Sequence, residues 1–262
     1  MMEVAKHTPG MFCWNELGAS DHQAAKKFYS ELFGWSANDV PIGPDSFYSM
    51  MRLRGKDVAA ISQLSRERLR QGIPPHWLSY IAVESVDETA MAINAAGGKT
   101  MMDPVDMLDD GRMTVAQDPT GAIFGIWQAR NHIGAQINNE VNALCWHELV
   151  TRDAAASSDF YSKVFGWKPR PRQNMPMVCM EFLLNGQAAG GMLTLLPEMV
   201  ELPPHWVTYF AADDCDAKVK KAISLGAKMI TPPQDIPNVG RYAIVADPQG
   251  TVFSIIKLNH LS

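Results

Sequence analysis

The sequence predicts an α+β chain made by tandem duplication, with two similar domains at residues 1–132 and 133–262. Three observations predict it: an internal repeat, short stretches in which apolar and polar residues alternate, and helix-like apolar stripes bounded by Asp and Gly.

The repeat comes first. Phe12-Cys13-Trp14-Asn15-Glu16-Leu17 matches Leu144-Cys145-Trp146-His147-Glu148-Leu149 at an offset of 132. Asp21, Phe28-Tyr29 and Phe33-Gly34-Trp35 match Asp153, Phe160-Tyr161 and Phe165-Gly166-Trp167 at the same offset. From Pro74-Pro75-His76-Trp77, which matches Pro203-Pro204-His205-Trp206, the offset is 129, and it holds through Gly111-Arg112 and Asp118-Pro119 against Gly240-Arg241 and Asp247-Pro248. A single drop of three residues between Trp35 and Pro74 accounts for the change, as loops absorb deletions. Residues 129–140 are polar, lack strong periodicity and read as the linker.

Within the first half, residues 11–18 alternate and carry Phe, Cys and Trp, which predicts a strand. Ser20 or Asp21 can cap a helix whose face is Ala24, Ala25, Phe28, Tyr29, Leu32 and Phe33, stopped by Gly34. Strand-like runs follow at 46–53 and 57–63. The plan then repeats: a strand from His76 to Val83, a helix from Asp87 through Ala96, short strands at Pro104-Val105 and Met113–Val115, a type I turn at Asp118-Pro119-Thr120-Gly121, and a last strand from Ile123 to Gln128. Each half is therefore two βαβββ units, long enough to bury a core of its own.

Composition excludes several classes. Of 262 residues 19% are charged and the net charge is −5, which gives no long-range attraction to nucleic acid or to an anionic membrane. Cys13, Cys145, Cys179 and Cys215 form no C-x-x-C pair and read as small buried hydrophobes. No apolar run reaches transmembrane length, and the first 20 residues carry Glu3, Lys6 and His7 without a signal-peptide apolar region, so a reduced cytoplasmic protein is the default expectation. There is no phosphate-binding Gly-rich loop and no Gly-x-Ser-x-Gly elbow.

The pattern x-Trp-x-Glu-Leu-x-x-x-Asp-x-x-x-Ala-x-x-Phe-Tyr-x-x-x-Phe-Gly-Trp, with the late Asp-Pro-x-Gly-x-x-Phe turn, resembles the vicinal oxygen chelate superfamily of glyoxalases, bleomycin-resistance proteins and dioxygenases. The Pro-Pro-His-Trp and Gly-Arg pairings look like its two-domain glyoxalase-like hydroxylase branch. The resemblance implies two tandem glyoxalase-like domains, each of paired βαβββ units whose curved mixed sheet forms a cup. It also implies, in the metal enzymes of the family, a divalent ion held by His, Glu or Gln on the cup face. Counting from the helix-starting Asp residues and from the Asp-Pro turns, the ligand positions hold Trp14, Leu78 and Gly125 in the first half and Trp146, Val207 and Ser254 in the second. None offers a His nitrogen or a carboxylate, so no metal ligand and no cofactor is expected, although the resemblance keeps a divalent ion open.

Strand parity sorts the remaining side chains. Trp14, Glu16, His76, Tyr80 and Trp127 should line the first cup, and Trp146, Glu148, His205, Tyr209, Ser254 and Ile256 the second. Leu17 and Ala19 should face the helices, and His147, of opposite parity, should lie against the helix layer or at the surface. Glu16 and Glu148 are the candidate general bases or substrate anchors, with His76 or Tyr80 as partner, and His76 and His205 are candidate catalytic residues beside them. Trp14, Tyr80, Trp127, Trp146, Tyr209 and Ser254 are candidate substrate-binding residues. The structural alternative has the glutamates bound to backbone N–H groups or to Arg112 and Arg241, with the histidines in structural hydrogen bonds. Met50, Met51, Met101 and Met102 suit either pocket walls or core. Two functions follow: a glyoxalase- or dioxygenase-like enzyme acting on a small organic molecule without the usual metal, or a non-catalytic protein that sequesters an aromatic or drug-like ligand. The halves are expected to pair as a pseudo-dimer inside one monomer, or the chain to form a homodimer.

Overall fold

The computed structural model describes residues 4–43, 46–172, 179–195 and 202–260. The first βαβββ unit is β1 (Phe12–Ala19), α1 (His22–Phe33), β2 (Ser36–Gly43), β3 (Ser46–Leu53) and β4 (Lys56–Gln63). A short helix α2 (Arg66–Arg70) leads to β5 (His76–Ala82), α3 (Val86–Ala95), β6 (Lys99–Thr100), β7 (Val105–Met107), β8 (Gly111–Gln117) and β9 (Ile123–Ala129). The second half runs β10 (Leu144–Thr151), α4 (Ala154–Phe165), β11 (Lys168–Pro171), β12 (Cys179–Leu184) and β13 (Gln187–Thr194), then β14 (His205–Ala211), α5 (Cys215–Ser224), β15 (Lys228–Ile236), β16 (Gly240–Ala246) and β17 (Val252–Leu258).

Local chemistry sets the helix ends. The Asp21 carboxylate accepts from the Ala24 amide at 3.0 Å and Asp153 does the same for Ala156 at 2.9 Å, while Gly34 and Gly166 close α1 and α4 in the left-handed conformation, both at φ 72°. Helix α3 is capped by Ser85, leaving Asp87 in its first turn to pair with Arg112.

Each half folds into one mixed sheet, in the orders β2-β3-β4-β1-β5-β9-β8-β6 and β11-β12-β13-β10-β14-β17-β16-β15, with β7 also pairing β8. The central pairs β1–β5 and β10–β14 are antiparallel, whereas β1–β4, β5–β9, β10–β13 and β14–β17 are parallel. The register splits the expected three-residue drop into two steps. Met50 lies opposite Ala60 as Glu181 lies opposite Gly191, an offset of 131. One residue is thus lost between β2 and β3, and two between β4 and β5.

Each half buries a smaller cluster under its own cup, and two larger cores are shared between the halves. One core joins Leu17, Phe28, Tyr29 and Phe33 of the first unit, with Trp77 at the start of β5, to Phe210, Val219, Ala222 and Phe253 of the fourth. The other joins Ile81, Ile93, Phe124 and Ile126 of the second unit to Leu149, Phe160, Tyr161 and Trp167 of the third, with Trp206 at the start of β14. Each sheet carries only two long helices on its back, too few to cover it, so the backs of the two sheets cover each other. Phe33 meets Phe210 at 4.9 Å between ring centroids, and Phe124 meets Phe165 at 5.9 Å. Equivalent latches tie the halves: Tyr29 Oη donates to Asp247 Oδ2 and Tyr161 Oη to Asp118 Oδ2, both at 3.1 Å. The Asp-Pro turn is therefore both a hairpin end and a docking point.

A polar seam crosses the middle. Asn15 Nδ2 donates to Thr208 Oγ1 at 2.8 Å and to Ser79 Oγ at 3.0 Å, and His147 Nε2 donates to Asn15 Oδ1 at 2.9 Å. His147 stacks on Phe12 at 3.8 Å and is only 4% exposed. It lies neither against a helix nor at the surface, because the second sheet's back is covered by the first. Burial pushes its pKa down to about 3. The connecting segment is pinned to β1 and β4: Ala135 N–H donates to Cys13 O and Gln136 N–H to Asp57 O, both at 2.8 Å. Cys13, Cys179 and Cys215 are buried, Cys145 is half-buried, and all are free thiols. Among the described residues no helix is long and apolar enough to cross a membrane.

Candidate functional site

Two equivalent floors result. In the first cup Trp14, Tyr80 and Trp127 pack with Ala60, Tyr48, Met50, Leu78 and Met113. Glu16 is held there by hydroxyls: Ser62 Oγ donates to Oε1 at 2.7 Å, Tyr80 Oη to Oε2 at 3.3 Å and Tyr48 Oη to Oε2 at 3.5 Å. Trp14 Nε1 donates to Tyr48 Oη at 3.1 Å, and Trp127 Nε1 to the His132 carbonyl at 2.9 Å.

In the second cup Tyr209 Oη donates to Glu148 Oε2 at 2.6 Å. Burial raises the Glu148 pKa, opposed by the Tyr209 hydrogen bond and the Arg172 charge. Arg172 lies 5.9 Å above the Trp146 ring. Ser254, beside Tyr209 in the sheet, is fully buried. A cavity of about 470 Å³ opens over this floor, lined by Trp146, Glu148, Arg172, Tyr209 and Ile256 among others.

The register shows how the floors diverged. Tyr48, Ala60, Ser62 and Trp127 of the first cup are replaced by Cys179, Gly191, Leu193 and Ile256; three of the four changes remove bulk, the Ser62 position gains it, and two of the hydroxyls on Glu16 are lost. Gly191 matters directly: a Cβ there would stand 3.0 Å from both Glu148 Oε1 and Trp146 Nε1.

His76 and His205 stand at the strand entrances, where each Nδ1 bonds a proline carbonyl two residues back, Pro74 O at 2.8 Å and Pro203 O at 2.7 Å. The hydrogen bonds of the glutamates come from hydroxyls: of the two partners open to Glu16, Tyr80 donates to it while His76 bonds Pro74, and Tyr209 serves Glu148 in the same way. Arg112 and Arg241, the structural alternative, engage Asp87 and Asp216 instead. Met50 lines the cup, Met51 is buried in the core, and Met101 and Met102 are exposed. The sequence reading passed over Tyr48, Ser62, Arg172, Glu181 and Gly191. Parity along 46–53 and 57–63 could have found Tyr48 and Ser62.

The cups fit a divalent ion poorly. The counted ligand positions carry indole, aliphatic, hydrogen and hydroxyl groups, and each floor brings one glutamate together with tyrosine or serine hydroxyls, the second carboxylate of the second cup, Glu181, being ion-paired with Arg170. A Cβ on Gly125 would stand 2.2 Å from the Tyr80 ring, so that position cannot carry a ligand while Tyr80 lies where it does. Among the described residues no three His, Cys, Asp or Glu side chains converge.

A curved mixed sheet of paired βαβββ units with its site in the cup defines the class, and the chain belongs to the Glyoxalase/Bleomycin resistance protein/Dioxygenase superfamily, whose model matches residues 13–126 and 136–255. It is 41% identical over 98% of both chains to "Putative glyoxylase CFP32" of Mycobacterium tuberculosis. It is 32% identical to "Anthracycline biosynthesis protein DnrV" of Streptomyces peucetius, over 97% of this chain and 96% of that one. Among solved structures, the Mn(II)-bound glyoxalase from Novosphingobium aromaticivorans superposes with a TM-score of 0.65 at 15% identity, covering 97% of this chain and 86% of that one. At that identity the likeness shows the fold alone.

Proposed function

We propose that this chain handles a small organic molecule in the second-half cup, with the Glu148 carboxyl as its proton-transfer group and without the divalent ion of the family's metal enzymes. One observation carries the proposal: the cavity of about 470 Å³ opens over Glu148, whereas its equivalent Glu16 is held by three hydroxyls. That volume suits a drug-sized ligand. A relative named for anthracycline biosynthesis supports a planar aromatic molecule as the class.

The chemistry follows from the surroundings of Glu148. Tyr209 fixes Oε2, and Oε1 lies on the side of Gly191 and Trp146. A carboxylate whose pKa is raised by burial is a stronger base than an exposed one and holds a proton more readily once it has taken it. It is suited to removing a proton from carbon next to a carbonyl, or from a phenol, and returning it elsewhere on the ligand.

Deuterium exchange tests this. Enolisable aryl ketones incubated with the protein in D2O should lose their α-proton signal, followed by NMR. Glu148→Gln should slow exchange by roughly 10²- to 10⁴-fold. Exchange unchanged in that variant would remove Glu148 from the chemistry. Saturable binding with no exchange by the wild type would favour the sequestering reading, which the Trp146 wall also supports.

A further inference from the structure

We propose that the second-half cup selects a planar aromatic ligand carrying one negative charge, with Arg172 as the anchor for that charge and Trp146 as the wall for the ring. This rests on the proposed role of that cup and adds the chemical class of its ligand.

The charges around the cavity lead there. Glu181 lines it but is ion-paired with Arg170 across the β11–β12 ladder. Glu148 is engaged by Tyr209. Arg172 remains: it is half-buried at the cavity wall, and among the described residues no carboxylate lies within ion-pair distance of it. A half-buried guanidinium without a carboxylate partner is a recognition group for carboxylate or phenolate, because its planar fork presents paired donors.

Its position fixes what the rest of the ligand must be. The guanidinium lies 5.9 Å above the Trp146 ring, so an anionic group reaching it brings the attached body alongside the indole. Leu144, Val239, Ile256 and Leu258 give the wall an apolar stretch that offers a flat ring dispersion and burial, beside the polar Asn138, Asn139 and His260. The first cup lacks this cation. By register Val40 faces Tyr48 as Arg172 bonds Cys179, so Val40 is its equivalent, and it is 41% exposed. The first cup therefore has no arginine at the place of Arg172, and the cation whose charge reaches Tyr80 there is Arg68, from α2.

Calorimetry on the full chain with 2-naphthoate and its neutral counterpart 2-naphthylmethanol tests the proposal. The acid should bind about 10- to 100-fold more tightly than the alcohol, the range expected for a charge-assisted contact. Arg172→Gln should abolish that preference, the acid losing far more affinity than the alcohol, and Arg172→Lys should restore only part of it. Thermal melts of the variants confirm folding. Equal binding of acid and alcohol by the wild type, or a preference that survives Arg172→Gln, overturns the anchor while leaving the cup reading intact. Binding of neither overturns both.

Discussion

Acidification should loosen the join between the halves through His147. The imidazole is 4% exposed, donates to Asn15, stacks on Phe12 and has its pKa lowered from 6.5 to about 3. A histidine depressed in the folded state contributes its full stability above the unfolded pKa, and that contribution is lost as pH falls below it toward the folded value. Between pH 8 and pH 5 the unfolded chain gains a proton that the folded chain refuses, which costs about 2 kcal/mol, or roughly 4–8 °C in Tm for a chain of this size. Urea denaturation from pH 8 to pH 5 measures it. His7, His22 and His132 are also depressed by burial and act in the same sense, whereas Glu148 and Asp247 are raised and oppose it. The comparison is therefore with His147→Asn, the residue the first half carries at this position. The variant should be less stable at pH 8, having lost the Phe12 stack, but should lose less stability on acidification, by about 2 kcal/mol at pH 5. Parallel pH dependences for the two proteins would refute the account of the seam.

Other expectations follow from particular contacts. Residues 1–132 expressed alone should not give a folded monomer, because their apolar core is completed by the other half; a well-dispersed monomeric NMR spectrum would contradict this. Tyr29→Phe removes the hydroxyl that donates to Asp247 and accepts from Trp77, and should cost about 1–3 kcal/mol in urea denaturation. Gly191→Val, by crowding Glu148 and Trp146, should weaken naphthoate binding more than ten-fold (~1.4 kcal/mol) without unfolding the chain, read by calorimetry and circular dichroism. Glu148→Gln should raise stability at pH 8, since a carboxyl whose folded pKa is raised is penalised when ionised; the gain should shrink as pH falls into the range where Glu148 takes up its proton.

Period-two alternation made the cup floors legible: Trp14, Glu16, Tyr80 and Trp127 share a face because β1, β5 and β9 are regular where those residues lie. For His76 the sequence leaves a structural hydrogen bond and a catalytic role both open, because parity gives the face of a strand and not the reach of a side chain at its end; there the Pro74 carbonyl holds the ring. Strand β2 was invisible, since each of its residues is exposed and no alternation marks it. The shared cores were hidden for a different reason: an apolar face states that something covers it, not which half does. The divergence of the cups was obscured where the repeat loses residues in two steps, so that Tyr48 and Cys179, or Ala60 and Gly191, align only through the hydrogen-bonded register.

Trp14 and Trp146 occupy equivalent places on the two floors and are natural reporters of which cup is used. Fluorine NMR of the chain labelled with 5-fluorotryptophan, with the seven resonances assigned by single Trp→Phe variants, separates them. Titration with 2-naphthoate should shift the Trp146 resonance saturably and leave Trp14 in place. A shift confined to Trp14, or equal shifts at both, would contradict the assignment of ligand binding to the cup that holds Glu148.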